Sequence, residues 1–542
     1  MKKIAITFLL AAMSVAGAYA QTAYDALRYS ENNYEGTARS VAMGNAFTAL
    51  GGDLGAVTIN PAGSAVAKYS QITITPGLTI SANTTQGVSP YENGSLPYFE
   101  RKMKSTASKF SMPNLGFTLN WDTNRTSGVK NMSLGFIVNR TNSWNEDIYA
   151  NGTNNTTTFM GAVAAASSGL PATGLGGNDA YDYYDWRSVV GYQSGMISPF
   201  GGFEDEYVGA SELIYDSAEG YDIALAGPIE QSYGKNISGS KNEYILNFSA
   251  NISDFLYVGA NVGLSQFNYD ENWYFKETAI DPSDFEIELA SGKTIYFDNM
   301  KYKNSYNASG SGAFAKIGFI LTPGYGLRFG GAIQTPTLNT VDEIWYEDGE
   351  TNFSDKSYNS TAYSPTGSYR YMMRSPFRAN FGAAYTFMNM AVLSVDYEMA
   401  DYGTMKYSTD NYDRDYFEDV NSDIRERFGI SHMFRAGIEV KPVSSVAIRA
   451  GYGLTTGAEK MDAWGNALVT DKTQNISIGF GYSSTGSFFA DFALRTTLLP
   501  KQYIMPYEDY IFDSEGYILE PVPELMTDRS LWKALLTFGF RF

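Results

Sequence analysis

The sequence predicts an all-β protein: a fourteen-stranded antiparallel transmembrane β-barrel with a separate N-terminal segment inside its lumen. Three observations predict it. Apolar and polar residues alternate with period two along many segments. The links between those segments alternate between very short and long. After the N-terminus, no apolar run reaches the roughly 18 to 20 residues that a membrane helix needs. Composition agrees, since 542 residues with Tyr 41, Phe 33, Gly 53, no Cys and one His describe a single large aromatic β structure rather than a string of small enzymes. Without cysteine, stability has to come from burial and a closed hydrogen-bond network, and thiol redox chemistry is excluded.

The chain starts MKKIAITFLLAAMSVAGAYA. Lys2 and Lys3 precede an apolar run from Ile4 to about Ala16, and Ala18-Tyr19-Ala20 has the small-x-small pattern that signal peptidase cuts. Residues 1–20 are therefore expected to be a signal peptide, with the mature chain starting at Gln21. Losing two lysines takes Lys+Arg from 39 to 37 against 58 acidic residues, a net charge of −21. That sign is wrong for a nucleic-acid binder.

Residues 21–69 carry no strand signal. TARSVAMGNAFTAL, Thr37 to Leu50, suits a short helix with a small-residue face of Ala38, Val41, Ala42, Ala46 and Ala49. Two turns follow in GGDLGAVTINPAG: Gly51 and Gly52 permit positive φ before Asp53, and Pro61 restricts Asn60 ahead of Ala62. A fourteen-stranded barrel is wide enough to hold such a segment.

Candidate strands then lie near 71–82, 114–121, 132–140, 243–252, 255–269, 312–321, 326–334, 377–388, 390–400, 433–441, 446–455, 474–484, 486–495 and 531–542. LWKALLTFGFRF shows the pattern best: Trp532, Ala534, Leu536, Phe538, Phe540 and Phe542 oppose Lys533, Thr537, Gly539 and Arg541, with Leu535 the exception. Phe434, Ile438, Phe480 and Phe492 likewise oppose Arg435, Glu439, Gly479 and Asp491. A soluble sandwich would alternate too. Loop length separates the readings: from the fourth strand on, Ser253-Asp254, 322–325, Asn389, 442–445 and Thr485 are short links between loops of roughly 18 to 42 residues. Short turns on one side and long loops on the other mark an outer-membrane barrel. An even strand number puts both termini on the short-turn side. The largest loop, about 141–242, is big enough to cover the barrel mouth.

ARSVAMGNAFTALGGDLGAVTINPAG, from Ala38 to Gly63, resembles the N-terminal hatch of the long-chain fatty-acid outer-membrane transporter family, the FadL and TodX type. Phe542 resembles the terminal aromatic assembly signal of outer-membrane barrels. The resemblance implies a barrel plugged by residues 21–69, passive uptake of hydrophobic molecules such as fatty acids or aromatic hydrocarbons, capture by outer loops and lateral release through a gap at a kinked third strand. Carried over by position, Asn60, Pro61 and Ala62, with Gly51, Gly52 and Asp53, would shape the moving hatch. Gly135 in MSLGFIVNR is the expected kink, since glycine inside a strand marks a bend or a close approach. The implied setting is the outer membrane of a Gram-negative-type bacterium. The implied partners are a hydrophobic ligand, outer-membrane lipid and lipopolysaccharide, and the barrel-assembly machinery, with the chain a monomer. No cofactor or metal is expected. The pocket lining is expected to be Phe, Leu, Met and Tyr with a few polar groups.

An enzyme is disfavoured, because any Ser-His-acid site would have to use His432, the only imidazole. The acidic stretch 411–423 lacks calcium-loop spacing and reads as a solvated loop. The alternative to transport is a structural or adhesive barrel that binds through its large loops, which leaves the N-terminal segment unexplained.

Overall fold

The computed structural model describes residues 21–88, 99–217, 220–388, 390–409, 416–460, 472–513 and 515–542. The expected signal peptide, the Asn389 turn and residues 411–415 of the acidic stretch lie outside the described residues.

Among the described residues, fourteen antiparallel strands form one closed ring. They are β1 Gln71–Val88, β2 Met103–Asp122, β3 Val129–Asn154, β4 Ile229–Ile252, β5 Leu256–Ala279, β6 Thr294–Gly324, β7 Leu327–Gln334, β8 Arg378–Phe387, β9 Ala391–Asp401, β10 Ile430–Val443, β11 Val446–Thr456, β12 Lys472–Ser483, β13 Phe488–Leu498 and β14 Glu524–Arg541. Beyond Pro336 and Pro376, β7 and β8 continue outward as the paired strands Leu338–Phe353 and Gly367–Arg374. Closure runs from Gln71↔Arg541 to Val88↔Glu524. Ser70 and Phe542 exchange both backbone hydrogen bonds at its lower end, 3.0 and 2.9 Å.

Which face is apolar decides against a sandwich. Trp532 and Phe540 are 44% and 53% exposed, whereas Lys533 and Thr537 on the opposite face are buried. Phe434, Ile438, Ile478, Phe480 and Phe492 face outward in the same way, with Arg435, Glu439 and Asp491 inside. A greasy exterior around a polar lumen suits lipid outside and hydrogen-bonding partners inside. Leu535 breaks the pattern because it turns inward, packed on Ala38, Val41, Ala42 and Ala493.

Several strands are longer than expected. The 26 residues of β3 span about 85 Å at 3.3 Å per residue, far more than an apolar band about 25 Å tall. Their upper parts rise beyond such a band, where polar residues such as Glu230, Asn236 and Lys276 take the outer face, so the period-two signal fades. The largest loop is consequently 155–228 rather than 141–242. Its helices Phe159–Ser167 and Trp186–Gln193 pack with Phe275, Phe285, Phe297, Tyr302 and Tyr507 into an apolar cap over the barrel.

Most of residues 21–67 are buried among inward-facing side chains, with Thr22, Tyr24 and Glu31 exposed. Helix α1, Ala23–Ser30, which periodicity did not reveal, starts with a capping box of Thr22 and Asp25. The expected helix over Thr37–Leu50 is only α2, Ala38–Ala42, because Gly44 and Asn45 take φ of +63° and +60°. Short 3-10 turns at Gly55–Thr58 and Pro61–Val66 complete the segment.

Candidate functional site

The Asn60-Pro61-Ala62 turn is built into the wall. Asn60 Nδ2 donates to the carbonyls of Thr48 (2.6 Å) and Phe319 (3.0 Å), while its Oδ1 accepts from Ala62 N at 3.1 Å and so caps the following turn. Asn247 Nδ2 donates to Pro61 O at 2.9 Å, and Ser64 Oγ meets Ser249 Oγ at 2.6 Å. Asn261 Nδ2 and Lys316 Nζ hold the carbonyls of Val57 and Thr58 at 2.9 and 2.6 Å. Gly51 and Gly52 have φ of +62° and +73°, and Gly52 N donates to Gly63 O at 2.8 Å, closing the stretch on itself. Asp53 Oδ1 accepts from Thr37 Oγ1 (2.7 Å) and Gly55 N (2.9 Å), tying α2 to that turn.

Elsewhere the segment touches strands spread around the ring. Arg39 Nε reaches Glu439 of β10 at 2.9 Å, Thr48 N and Oγ1 reach Asp396 of β9, and Ala38 N donates to Thr537 of β14 at 2.7 Å. Its backbone rests on glycines of the inner face: a methyl group at Gly259, Gly318, Gly330, Gly437, Gly451 or Gly479 would overlap Pro61, Asn60, Thr48, Met43, Gly44 or Ala42 respectively. Those strand glycines give the segment its seat; the sequence reading had placed Gly437 and Gly479 on a polar face and had not singled out the others.

Outward of this turn lies a cavity of about 340 Å³. Tyr24, Leu27, Trp144, Tyr269, Tyr402 and Met433 line it, and so do Arg28, Glu31, Glu146, Lys235, Arg378, Glu398 and Arg529. The expected lining of apolar residues with a few polar groups is thus corrected: the walls carry many charges. Several of these are paired, Arg378 with Glu398 at 3.1 Å and Arg529 with Glu146 at 3.4 Å. Such pairing leaves polar walls of low net charge beside aromatic surfaces.

The cavity reaches β1 at Ser81 and Asn83 and β3 at Asn142–Glu146, where the barrel wall is split. The β2–β3 ladder runs from Asp122↔Asn131 only as far as Asn114↔Asn139. Above that, β2 pairs with β1 alone and β3 with β4 alone. The fork coincides with Pro113, which has no N–H to donate, with the β1 irregularity between Thr75 and Gly77 around Pro76, and with a β3 register shift between Arg140 and Asn142. Asn83 Nδ2 and Ser105 Oγ both donate to Asp147 O and bridge the strands again higher up. Gly135 is not at the fork: it pairs in continuous register with Thr118 and Asn247. The register irregularity lies six residues further on, at Thr141. Pro76 and Pro113, interior prolines in alternating segments, were the signal available in the sequence.

His432 points away from the lumen, with Nδ1 2.8 Å from Tyr397 Oη. In the cap, burial pushes the Glu212 carboxyl up to about 7, with Glu277 adding to the rise and the Gly209 N–H and Tyr510 hydroxyl opposing it.

No protein-family model matches the chain, and no curated protein is similar to it in sequence. Among solved structures, the crystal structure of the Pseudomonas putida toluene transporter TodX matches with a TM-score of 0.50 over 93% of this chain and 98% of TodX, at 11% identity. This chain has the fold of TodX. A Pseudomonas aeruginosa FadL homologue matches at TM-score 0.49 and 10% identity, over 94% of this chain and 98% of its own. The Ralstonia pickettii toluene transporter TbuX matches at 0.42 and 12%, over 94% and 99%. At 11% identity the likeness to TodX is one of fold, and it extends along nearly the whole of both chains.

Proposed function

We propose that the protein is an outer-membrane channel for passive uptake of hydrophobic small molecules such as long-chain fatty acids or aromatic hydrocarbons. One observation carries the reading: the cavity outward of the Asn60 turn abuts the stretch where β2 and β3 are unpaired. In this reading, the capping loops admit the solute, the cavity strips its water, and the split in the wall releases it sideways into lipid. An apolar solute crosses a polar lipopolysaccharide layer poorly, so a protected path that ends in the bilayer lowers that barrier without an energy source. Residues 21–69 act as a hatch, with the Asn60-Pro61-Ala62 turn and the Gly51-Gly52-Asp53 corner as the parts that shift. Phe542, at the closing seam, serves as the assembly signal. Outer-membrane lipid, lipopolysaccharide and the assembly machinery are its surroundings, and the chain acts as a monomer.

The test uses a cysteine-free starting chain. One cysteine is placed on β2 within 106–113 and one on β3 within 140–146, and the pair is bridged by a short thiol cross-linker that reduction cleaves. Uptake of a labelled fatty acid or toluene into cells should fall on bridging and recover on reduction. Uptake that is unchanged by the bridge removes lateral release. Absence of any apolar molecule in mass spectra of the purified protein, together with no uptake, would move the assignment to the adhesive barrel.

A further inference from the structure

Where residues 33–45 meet β10 to β13, a small cavity of about 20 Å³ lies beside two guanidinium groups, Arg435 and Arg495. That is room for one water-sized particle. Both arginines are buried, at 4% and 2% exposure. Arginine carries five N–H donors and stays charged. Arg435 spends Nη1 on Glu398 Oε2 at 3.1 Å, and Arg495 spends Nη1 on Tyr34 O at 2.8 Å. The Nε and Nη2 groups of both have no acceptor among the described residues. Asp396 Oδ2 stands 3.8 Å from Arg435 Nη2, beyond hydrogen-bond reach. No carboxylate lines the cavity. Glu35, close enough to act on Arg495 electrostatically, is bonded to Lys533 instead.

Lys241 shows how the same fold treats a buried cation that, like Arg495 and unlike Arg435 with its Glu398, has no carboxylate at ion-pair distance. Its ammonium is met by the carbonyls of Tyr29, Ser30 and Glu31 and by Asn32 Oδ1, at 2.9 to 3.3 Å. Arg495 has one acceptor where Lys241 has four. Buried N–H groups and a buried charge without partners are costly, and an anion removes both costs together. A water would accept from two of the donors but leave the charge.

We propose that this cavity binds one monatomic anion of halide size, held by the Nε and Nη2 donors of Arg435 and Arg495. Room for one water-sized particle suits a monatomic ion better than phosphate, nitrate or a carboxylate group. Because Asn33, Tyr34, Gly44 and Asn45 come from the N-terminal segment and the two arginines from the wall, the ion fastens one to the other. This holds whatever molecule the barrel carries.

Crystals of the full-length protein soaked in bromide should show an anomalous peak between the two guanidinium groups. In detergent at constant ionic strength, the unfolding temperature should rise saturably as chloride or bromide replaces gluconate, and Arg495→Gln should abolish the rise. The bromide measurement uses the unsubstituted protein, so it decides even where the variant fails to fold. A refined water with no anomalous signal, and identical unfolding in chloride and gluconate, overturns the proposal. So does elongated density entering from the larger cavity, which shares Asn33, Met433, Thr455 and Asn475 with this one.

Discussion

The cap over the barrel and the segment inside it are held by opposite means. The cap packs Phe159, Met160, Val163, Val189, Val190, Phe275 and Tyr302 into one continuous apolar core. Residues 38–66 contribute only small separate clusters, such as Ala62, Ala65, Tyr257 and Ile320. They are placed instead by Thr48, Ser64 and Arg39 on wall side chains and by Asn60 on the wall carbonyl of Phe319. Burial is non-directional and lost all at once, whereas each polar contact can be exchanged for water singly. A region held the second way can shift without unfolding the ring, as the proposed hatch role requires.

The sharpest way to break the comparison is Phe159→Ala. The ring packs at 5.1 to 6.2 Å, centroid to centroid, on Phe275, Tyr302 and Tyr507. Its loss should destabilise the cap by about 3–5 kcal/mol. Hydrogen exchange should speed up within 155–228 while the strands stay protected; equal loss in both would show that cap and barrel are one cooperative unit.

Next comes the cap's buried acid. Glu212 has a folded pKa of about 7, above the ordinary 4.5, so the folded state holds the extra proton. Stability of the cap is therefore greatest below about pH 4.5, falls as pH rises to about 7, and is level beyond. The span is roughly 3 kcal/mol. Cap amides should exchange more slowly at pH 5 than at pH 8 after correction for intrinsic rates, and Glu212→Gln should flatten that difference. A difference that survives in the variant would assign it to another group.

Asn60→Ala should cost about 1–3 kcal/mol, because it strands the Thr48 and Phe319 carbonyls and the Ala62 N–H in a buried site. The change sharpens the contrast if exchange quickens in 44–66 with the cap untouched. Smallest of all, Arg370→Ala removes an exposed pair with Asp342 at 2.5 Å and should move the unfolding midpoint by less than about 1 kcal/mol.

Much of the wall was legible in advance, since Trp532, Phe538 and Phe540 against Lys533 and Thr537 is a period-two pattern that local sequence carries whole. The candidate site was less so. Asn60-Pro61-Ala62 announced a turn, but its anchors Asn247, Asn261 and Lys316 are distant strand residues that look like any polar inner-face position. Gly135, the expected kink of β3, lies away from the fork because a strand glycine has several meanings, and here it stands in continuous register at a close approach: a Cβ would lie 2.8 Å from Thr118 Cγ2.

By itself, the sequence determined a fourteen-stranded barrel, the apolar and polar faces of its strands and a segment with no strand signal ahead of it. These follow from neighbours along the chain, because side-chain direction in a strand depends only on residue parity. Tertiary structure alone decided where the wall divides, which glycines the segment lies on, and that Arg435 and Arg495 face one small cavity. Each of those depends on register between segments up to hundreds of residues apart, and register is set by closing the ring.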